Sequence, residues 1–181
     1  MASNQPSSDD LLAMILAGTP PAAEGASSSG APEGLLIRRA GPRDLWPLLE
    51  LYPFLGDNPL PNEDDLELSL LWTRILMQSG YHILLGFVGD TLASTCTALV
   101  IDNLTHGQRP YMLIENVVTH PDFRRRGYGA QMLQGAVALA KTHGCYKAML
   151  MTGSKEESTL DFYRQAGFNS TDKTGFVQWL D

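Results

Sequence analysis

The chain has 181 residues, of which 44% are hydrophobic and 18% are charged, and its formal net charge is −7. This length is sufficient for one domain with a proper hydrophobic core. The acidic balance disfavours nucleic acid as a partner, because phosphates attract basic surfaces. No apolar run approaches the length of a membrane span and no signal peptide with a basic start is visible, so we expect no membrane partner.

The first 34 residues differ in composition from the rest of the chain. Ser, Ala, Gly and Pro dominate them, which predicts a disordered or weakly ordered tail before a domain over residues 35–181. Within the tail, residues 9–16 could form one or two helical turns. Such a short helix is either unstable alone, which we favour, or a docking segment for a partner or a second subunit of a homodimer.

The cysteines and histidines carry no recognisable site pattern. Cys96 and Cys145 fall in predicted strands without a disulfide framework, which predicts reduced, buried thiols and a cytoplasmic protein. Neither the cysteines nor the four histidines have the spacing of metal ligands, so we expect no metal.

The apolar patterns predict alternating strands and helices. In chain order they give a strand over 35–39, a helix from Pro42 to near Pro53, a helix capped by Asn62 and running to about Gln78, and strands over 81–88, 91–101 and 111–119. A helix ending at His143-Gly144, a strand over 146–151, a helix starting with capping-box spacing at Ser154 and ending at Gly167, and a last strand over 174–180 follow. This order indicates an α/β layered domain with a mixed sheet.

The stretch around which the chain is organised is Arg124-Arg125-Arg126-Gly127-Tyr128-Gly129, between a strand and a helix. The two glycines let backbone amides approach a ligand, and the amides of the helix start favour an anion there. The arginines add forked donors suited to phosphate. Together these features predict a pyrophosphate site.

Two common phosphate-binding motifs do not fit this stretch. A dinucleotide fingerprint would need a glycine where Met132 stands, and a P-loop would need a lysine after the glycines. The pattern Arg/Gln-x-x-Gly-x-Gly/Ala does fit, and it is the coenzyme A signature of the GNAT superfamily of N-acetyltransferases. The chain resembles this family over roughly residues 35–181. The resemblance implies a mixed sheet in the order β-α-α-β-β-β-α-β-α-β, acetyl-CoA as acetyl donor and no metal.

The resemblance also implies which residues contact the donor. In the family, the strand before the signature splays from its neighbour, and its backbone pairs with the pantetheine arm; the matching residues are Val117, Val118 and Thr119. The signature and the residue after it supply the remaining donor contacts, which are Arg124, Arg125, Arg126, Gly127, Tyr128, Gly129 and Ala130.

A second point of resemblance is the stretch Phe162-Tyr163-Arg164-Gln165-Ala166-Gly167-Phe168. In many family members, the tyrosine at this position protonates the leaving thiolate. A phenol with a pKa of about 10 keeps its proton at neutral pH and can give it to a thiolate whose conjugate acid has a pKa of about 8.5. The resemblance therefore implies that Tyr163 is the general acid; the alternative is that it only packs on the core face of its helix.

Glu115 is an acid in the middle of an otherwise apolar strand. Some family members have an acid here that accepts the proton of the amine, whose pKa is about 10. The alternative is a structural carboxylate paired with an arginine such as Arg109. Asn116, the next residue, is expected on the opposite face of the strand.

The identity of the acceptor stays open at this point. In the family, the first two helices, their loop and the last strand build the acceptor site, which here corresponds to residues 51–57 and 173–176. We expect a primary amine of a small molecule, attacked in a ternary complex, with a protein N-terminus or lysine as the alternative. A catalytically silent acyl-CoA-binding module is the alternative of another class.

Overall fold

The computed structural model describes residues 34–180. The predicted tail, including the helical stretch at residues 9–16, therefore lies outside the described residues. The strands are β1 (Leu36–Arg39), β2 (Tyr81–Val88), β3 (Thr91–Ile101), β4 (Tyr111–Thr119) and β5 (Ala148–Leu150). The helices are α1 (Leu45–Leu51), α2 (Leu66–Leu76), α3 (Tyr128–Thr142) and α4 (Glu157–Gln165).

The five strands form one sheet in the order β1-β2-β3-β4-β5. The first four strands are antiparallel neighbours, and β5 lies parallel to β4. A hairpin joins β2 to β3 at Gly89-Asp90, where Gly89 has a positive φ of 57°. This mixed sheet flanked by helices confirms the predicted α/β class, and the bounds of β2, β3 and β4 are those predicted.

Both faces of the sheet are covered by helices. On one face, Met132 and Leu139 of α3 pack with Ile114 of β4 in a buried cluster that α4 also borders. On the other face, Leu48 of α1 and Trp72 of α2 pack against β2. Alternate residues of a strand point to opposite faces, so β2 contributes to both clusters and is apolar along most of its length.

The starts of two helices differ from the prediction. Asp65, not Asn62, caps α2: its Oδ1 accepts hydrogen bonds from the amides of Glu67 at 2.9 Å and Leu68 at 3.2 Å. The helix α4 begins at Glu157, because Ser154 accepts the amide of Glu156 at 3.2 Å in a local turn. Several short polar side chains near a helix start can accept the same backbone amides. The sequence alone does not show which of them forms these hydrogen bonds.

The largest difference concerns the predicted last strand over residues 174–180. No strand forms there among the described residues, and residues 173–180 donate and accept no backbone hydrogen bond with another described residue. A strand exists only through pairing with a neighbour, and this segment has none within the described chain. It is exposed over its whole length.

Candidate functional site

The sheet opens where β4 separates from β5. Their pairing covers only Met112–Ile114 of β4, so the half of β4 from Glu115 to Thr119 has no strand on that side. On its other side, β4 carries a bulge in which Asn116 and Val117 together oppose Cys96 of β3. Asn116 has a positive φ of 51°, and such a bulge bends the strand. The result is an open strand edge whose backbone groups are available to a ligand.

A short loop carries the chain from this open edge to α3. The side chain of His120 accepts the amide of Asp122 at 3.3 Å, and Arg124 Nε donates to the carbonyl of Thr119 at 3.0 Å. Arg125 and Gly127 then take positive φ values of 60° and 83° to enter the helix. These contacts place the first turn of α3 at the end of β4.

Backbone amides cluster at this helix start. Among the described residues, no acceptor is present for the amides of Arg125, Arg126, Gly127, Gly129 and Ala130. The first turn of any α-helix leaves such donors, and the helix dipole adds partial positive charge. The site therefore has the donors that an anion such as pyrophosphate requires.

The three arginines of the signature have different surroundings. Arg124 is used to fix the loop, whereas the Arg126 guanidinium lies 5.5 Å from the ring centre of Phe123. Arg125 is exposed and contacts no charged or aromatic side chain among the described residues. Arg125 is thus the cation of this group that is most available to a bound anion.

The two glycines of the signature serve different purposes. Gly127 needs its left-handed conformation, and a Cβ there would meet no heavy atom within 4 Å. A Cβ on Gly129 would lie 3.2 Å from Cζ of Phe162 and 3.4 Å from Oγ1 of Thr119. Gly129 therefore allows close packing of α3 against α4, a reason that the sequence did not indicate.

Glu115 and Tyr163, predicted as base and acid, come together from β4 and α4. Burial raises the pKa of Tyr163, and the nearby Glu115 carboxylate raises it further. Burial also raises the pKa of the Glu115 carboxyl. Tyr163 is half-buried, with its ring 5.0 Å from that of Phe162. A half-buried phenol that keeps its proton and a half-buried carboxylate are therefore near enough to influence each other electrostatically at the open edge of β4.

The alternative partner for Glu115 is excluded. Arg109 instead donates from Nε to the carbonyl of Gly144 and from Nη2 to that of Cys145, both at 3.1 Å. These bonds hold the turn after α3, and Glu115 has no ion pair within residues 34–180. The Arg109 pairing considered from the sequence was wrong, and the carboxylate is left available.

The structure adds Tyr52 and Thr97 to the site. Tyr52 follows α1, and burial raises its pKa to about 12, with its hydroxyl close to the side chains of Thr97 and Asn116. Thr97 stands opposite Glu115 in the register of β3 and β4, so their side chains share a face. The Thr97 hydroxyl is buried and lacks a hydrogen bond of normal geometry with any described residue.

Sequence reasoning missed this arrangement for two reasons. Tyr52 lay in a stretch assigned to the acceptor without being singled out, and Thr97 has no local signal in a strand of small residues. Asn116 was expected on the face opposite Glu115, but the bulge breaks the alternation and brings its side chain to Tyr52.

Residues 34–180 contain no group of three or more His, Cys, Asp or Glu side chains placed to hold a metal ion. None of the helices in this range is both long enough and apolar enough to cross a membrane.

Comparison with known proteins gives consistent results. The model of the acetyltransferase (GNAT) family matches residues 45–168. The solved structure "Putative acetyltransferase from Agrobacterium tumefaciens str. C58" is 38% identical, with a TM-score of 0.75, covering 80% of this chain and 99% of that one.

Two curated relatives are more distant in sequence. An L-methionine sulfoximine/L-methionine sulfone acetyltransferase of Pseudomonas paraeruginosa is 26% identical, covering 80% of this chain and 89% of the relative. A glucosamine 6-phosphate N-acetyltransferase of Trypanosoma brucei brucei is 27% identical over 82 residues. That match covers 45% of this chain and 54% of the relative, so it spans about half the length of the trypanosomal enzyme.

Proposed function

Because the chain belongs to the acetyltransferase (GNAT) family, we propose that it transfers the acetyl group of acetyl-CoA to a primary amine of a small polar molecule. The observation that carries this proposal is the open edge of β4, which bears Glu115, leads into the amide-rich start of α3 and lies near Tyr163 of α4. In this proposal, β4 supplies the base, α4 supplies the acid, and the start of α3 supplies the anion site. This combination serves direct attack by an amine within a ternary complex.

Residues 124–130 would hold the pyrophosphate of the donor. The amides without acceptors at the start of α3 suit phosphate oxygens, and Arg125 adds a cation that no described side chain engages. The backbone of Val117, Val118 and Thr119 would pair with the amides of the pantetheine arm, as an added strand does. The open edge of β4 supports this assignment, because its backbone groups have no partner on the β5 side.

Glu115 would accept the proton of the ammonium group, directly or through water. Its raised pKa makes it a better base than an exposed carboxylate. The acetyl-CoA thioester supplies the acetyl group, whose C–S bond breaks after the C–N bond has formed. Tyr163 would give its proton to the departing sulfur, and its raised pKa keeps that proton in place until then.

A small polar amine is the acceptor class that the relatives support. The names of the two curated relatives specify glucosamine 6-phosphate and methionine sulfoximine or sulfone, all of which carry a primary amine on a small polar molecule. In this chain, the hydroxyls of Tyr52 and Thr97 and the amide of Asn116 offer polar contacts on the Glu115 side of the sheet. We also propose a cytoplasmic location, which the two free cysteines support.

A panel of small primary amines with acetyl-CoA tests the proposal. We expect thiol release that depends on the amine, with a product heavier by one acetyl group in mass spectrometry. Glu115→Gln should lose most of this activity at neutral pH while binding coenzyme A as the parent protein does, because only the base is removed. Tight binding of acetyl-CoA without acetylation of any amine, peptide N-terminus or lysine would instead indicate a silent acyl-CoA-binding module.

A further inference from the structure

Three basic side chains come together where β1 ends, β2 begins and α3 ends. They are Arg39, the last residue of β1, His82 near the start of β2, and His143, the C-cap of α3. Arg39 stands opposite Leu84 in the strand register, so Arg39 and His82 project from the same face of the sheet. The ring of His143 lies 5.1 Å from that of His82. These three residues are here termed the basic cluster.

Two polar atoms of the basic cluster are buried without a partner. Arg39 Nε and His82 Nε2 have no hydrogen bond with any residue of the range 34–180, and His82 is only 4% exposed. Arg39 also forms no ion pair with a carboxylate in this range. Buried polar atoms are nearly always hydrogen-bonded, and a half-buried cation is costly without an opposite charge. The basic cluster therefore has the donors and the charge of a ligand site.

The charges within the basic cluster favour an anion over a metal ion. Burial, followed by the charges of Arg39 and His143, lowers the pKa of His82 to about 4. Burial and the charge of Arg39 also lower the pKa of His143. Imidazoles can bind metal ions, but the fixed guanidinium charge repels a cation. An anion would instead offset the mutual repulsion of the three side chains.

A cavity of about 170 Å³ adjoins the basic cluster, and both Arg39 and His82 line it. One water needs about 10–15 Å³, so the cavity has room for a group of the size of phosphate. Gln78, Ser79 and Tyr81 also line it and can donate hydrogen bonds. Burial raises the pKa of the Tyr81 phenol, which therefore remains a neutral donor. None of the described residues that line this cavity is acidic.

The cavity lies away from the site proposed for the donor. The 15 residues of α3 span about 22 Å, which separates the first turn of this helix from His143. On the sheet, His82 pairs with Ala98 of β3, whereas Thr119, at the end of β4 that leads to α3, pairs with Ser94. A ligand of the basic cluster would therefore occupy a second site.

We propose that the basic cluster and the cavity beside it bind a small oxyanion such as phosphate or sulfate. Arg39 supplies a fixed charge and forked donors, and each imidazole adds a charged donor when it is protonated. Binding and protonation of His82 then favour each other. The affinity for the anion should rise as the pH falls toward 4, by at most about tenfold per pH unit for one proton. The proposal does not depend on acetyl transfer, and its tests do not measure activity.

The first test measures the pKa of His82 in the full-length chain by NMR of the imidazole nitrogens. The protein is titrated in sodium sulfate and in sodium chloride of equal ionic strength, and sulfate is the probe because it does not titrate in the range of a histidine. We expect sulfate to raise the pKa of His82 by about 1 or more, since a nearby opposite charge favours the protonated form. The same pKa in both salts would overturn the proposal.

The second test follows the His82 signal of several variants in mild acid while sulfate is added. Arg39→Gln should raise the sulfate concentration at half-saturation by about tenfold or more, because the fixed charge is lost. Arg43→Gln is the matched control, since Arg43 is exposed just beyond β1 and does not line the cavity of the basic cluster. Arg125→Ala should also leave the response unchanged, which separates this site from the start of α3.

The exposed His143 provides a further variant whose fold should be retained. His143→Gln should weaken the response of His82 to sulfate, and circular dichroism would verify the fold of every variant. A response that is unchanged in both Arg39→Gln and His143→Gln would overturn the proposal. Loss of the response in Arg125→Ala would also overturn it, because the sulfate would then be bound at the start of α3.

Discussion

Each residue of the proposed acid–base pair, Glu115 and Tyr163, depends on its surroundings. Tyr163 sits in a half-buried position beside Phe162, and Glu115 stands on a strand with apolar neighbours. A phenol in water would also be protonated at neutral pH, but burial and the adjacent carboxylate extend that state to higher pH. The same burial makes the carboxylate more basic. The two groups are therefore suited to opposite proton transfers, although neither needs a large change in its pKa.

Tyr163→Phe should slow the chemical step and leave the affinity for acetyl-CoA nearly unchanged. The hydroxyl matters when charge develops on sulfur, so its loss should lower kcat by about 10²- to 10⁴-fold without raising the donor Kd. Pre-steady-state kinetics with a saturating acceptor would measure the step, and calorimetry with coenzyme A is the control for binding. A rate within about twofold of the parent enzyme, with chemistry rate-limiting, would remove Tyr163 from the catalytic role.

At the scale of elements, the predictable features were those that a local signal defines. The bounds of β2 and β3 follow from apolar runs that meet at Gly89-Asp90, and Gly144 and Gly167 end their helices with positive φ values of 67° and 93°. The starts of α2 and α4 were misplaced, because several Ser, Asn and Asp side chains near each start can cap it.

The candidate site was predictable only in part. The resemblance to the family identified Glu115 and Tyr163, but their proximity depends on how β4 and α4 meet in three dimensions. The bulge at Asn116 has no sequence signal, since neither it nor Val117 is a glycine. The last strand was predicted from composition, yet residues 174–180 have no backbone hydrogen bond with any described residue.

The contact between α3 and α4 at Gly129 gives a prediction about this pair of elements. Gly129→Ala should lower the free energy of unfolding by about 1–3 kcal/mol, because its Cβ would press on Phe162. Phe162→Leu in the same chain should recover part of this loss, since the flexible smaller side chain leaves room. Urea unfolding of the two single variants and the double variant forms the cycle that measures the coupling. Strictly additive losses would show that the two residues do not press on each other.

At the scale of the whole molecule, donor binding should be linked to stability. Coenzyme A at 100 times its Kd should stabilise the native state by about 2.7 kcal/mol, because it binds only the folded site. This corresponds to a rise in Tm of roughly 5–11 °C for a chain of this size. Thermal unfolding with coenzyme A in the presence of a chelator measures the effect, and we expect it to persist without metal. Arg125→Ala should reduce the shift, whereas Arg74→Ala on the exposed side of α2 should not.

The stability of the whole molecule should also fall in mild acid because of His82. This side chain on β2 is 4% exposed, its Nε2 has no hydrogen-bond partner among the described residues, and its ring lies 5.1 Å from that of His143. Burial, followed by the charges of Arg39 and His143, lowers its pKa from 6.5 to about 4. Between these two values, the unfolded chain binds a proton that the folded protein does not, so stability is lost as the pH falls from 6.5 toward 4.

We therefore expect His82→Gln to flatten the dependence of stability on pH. One proton changes the slope by at most about 1.4 kcal/mol per pH unit, and the full difference across this window is up to about 3 kcal/mol. Urea unfolding of parent and variant at pH 7 and at intervals down to pH 4.5 would measure both stability profiles. The carboxylates contribute equally to the pH dependence of both proteins, so their contribution cancels in the difference. Because glutamine takes up no proton in either state, the variant should become more stable relative to the parent as the pH falls. Parallel profiles would mean that His82 takes up its proton without cost in the folded protein.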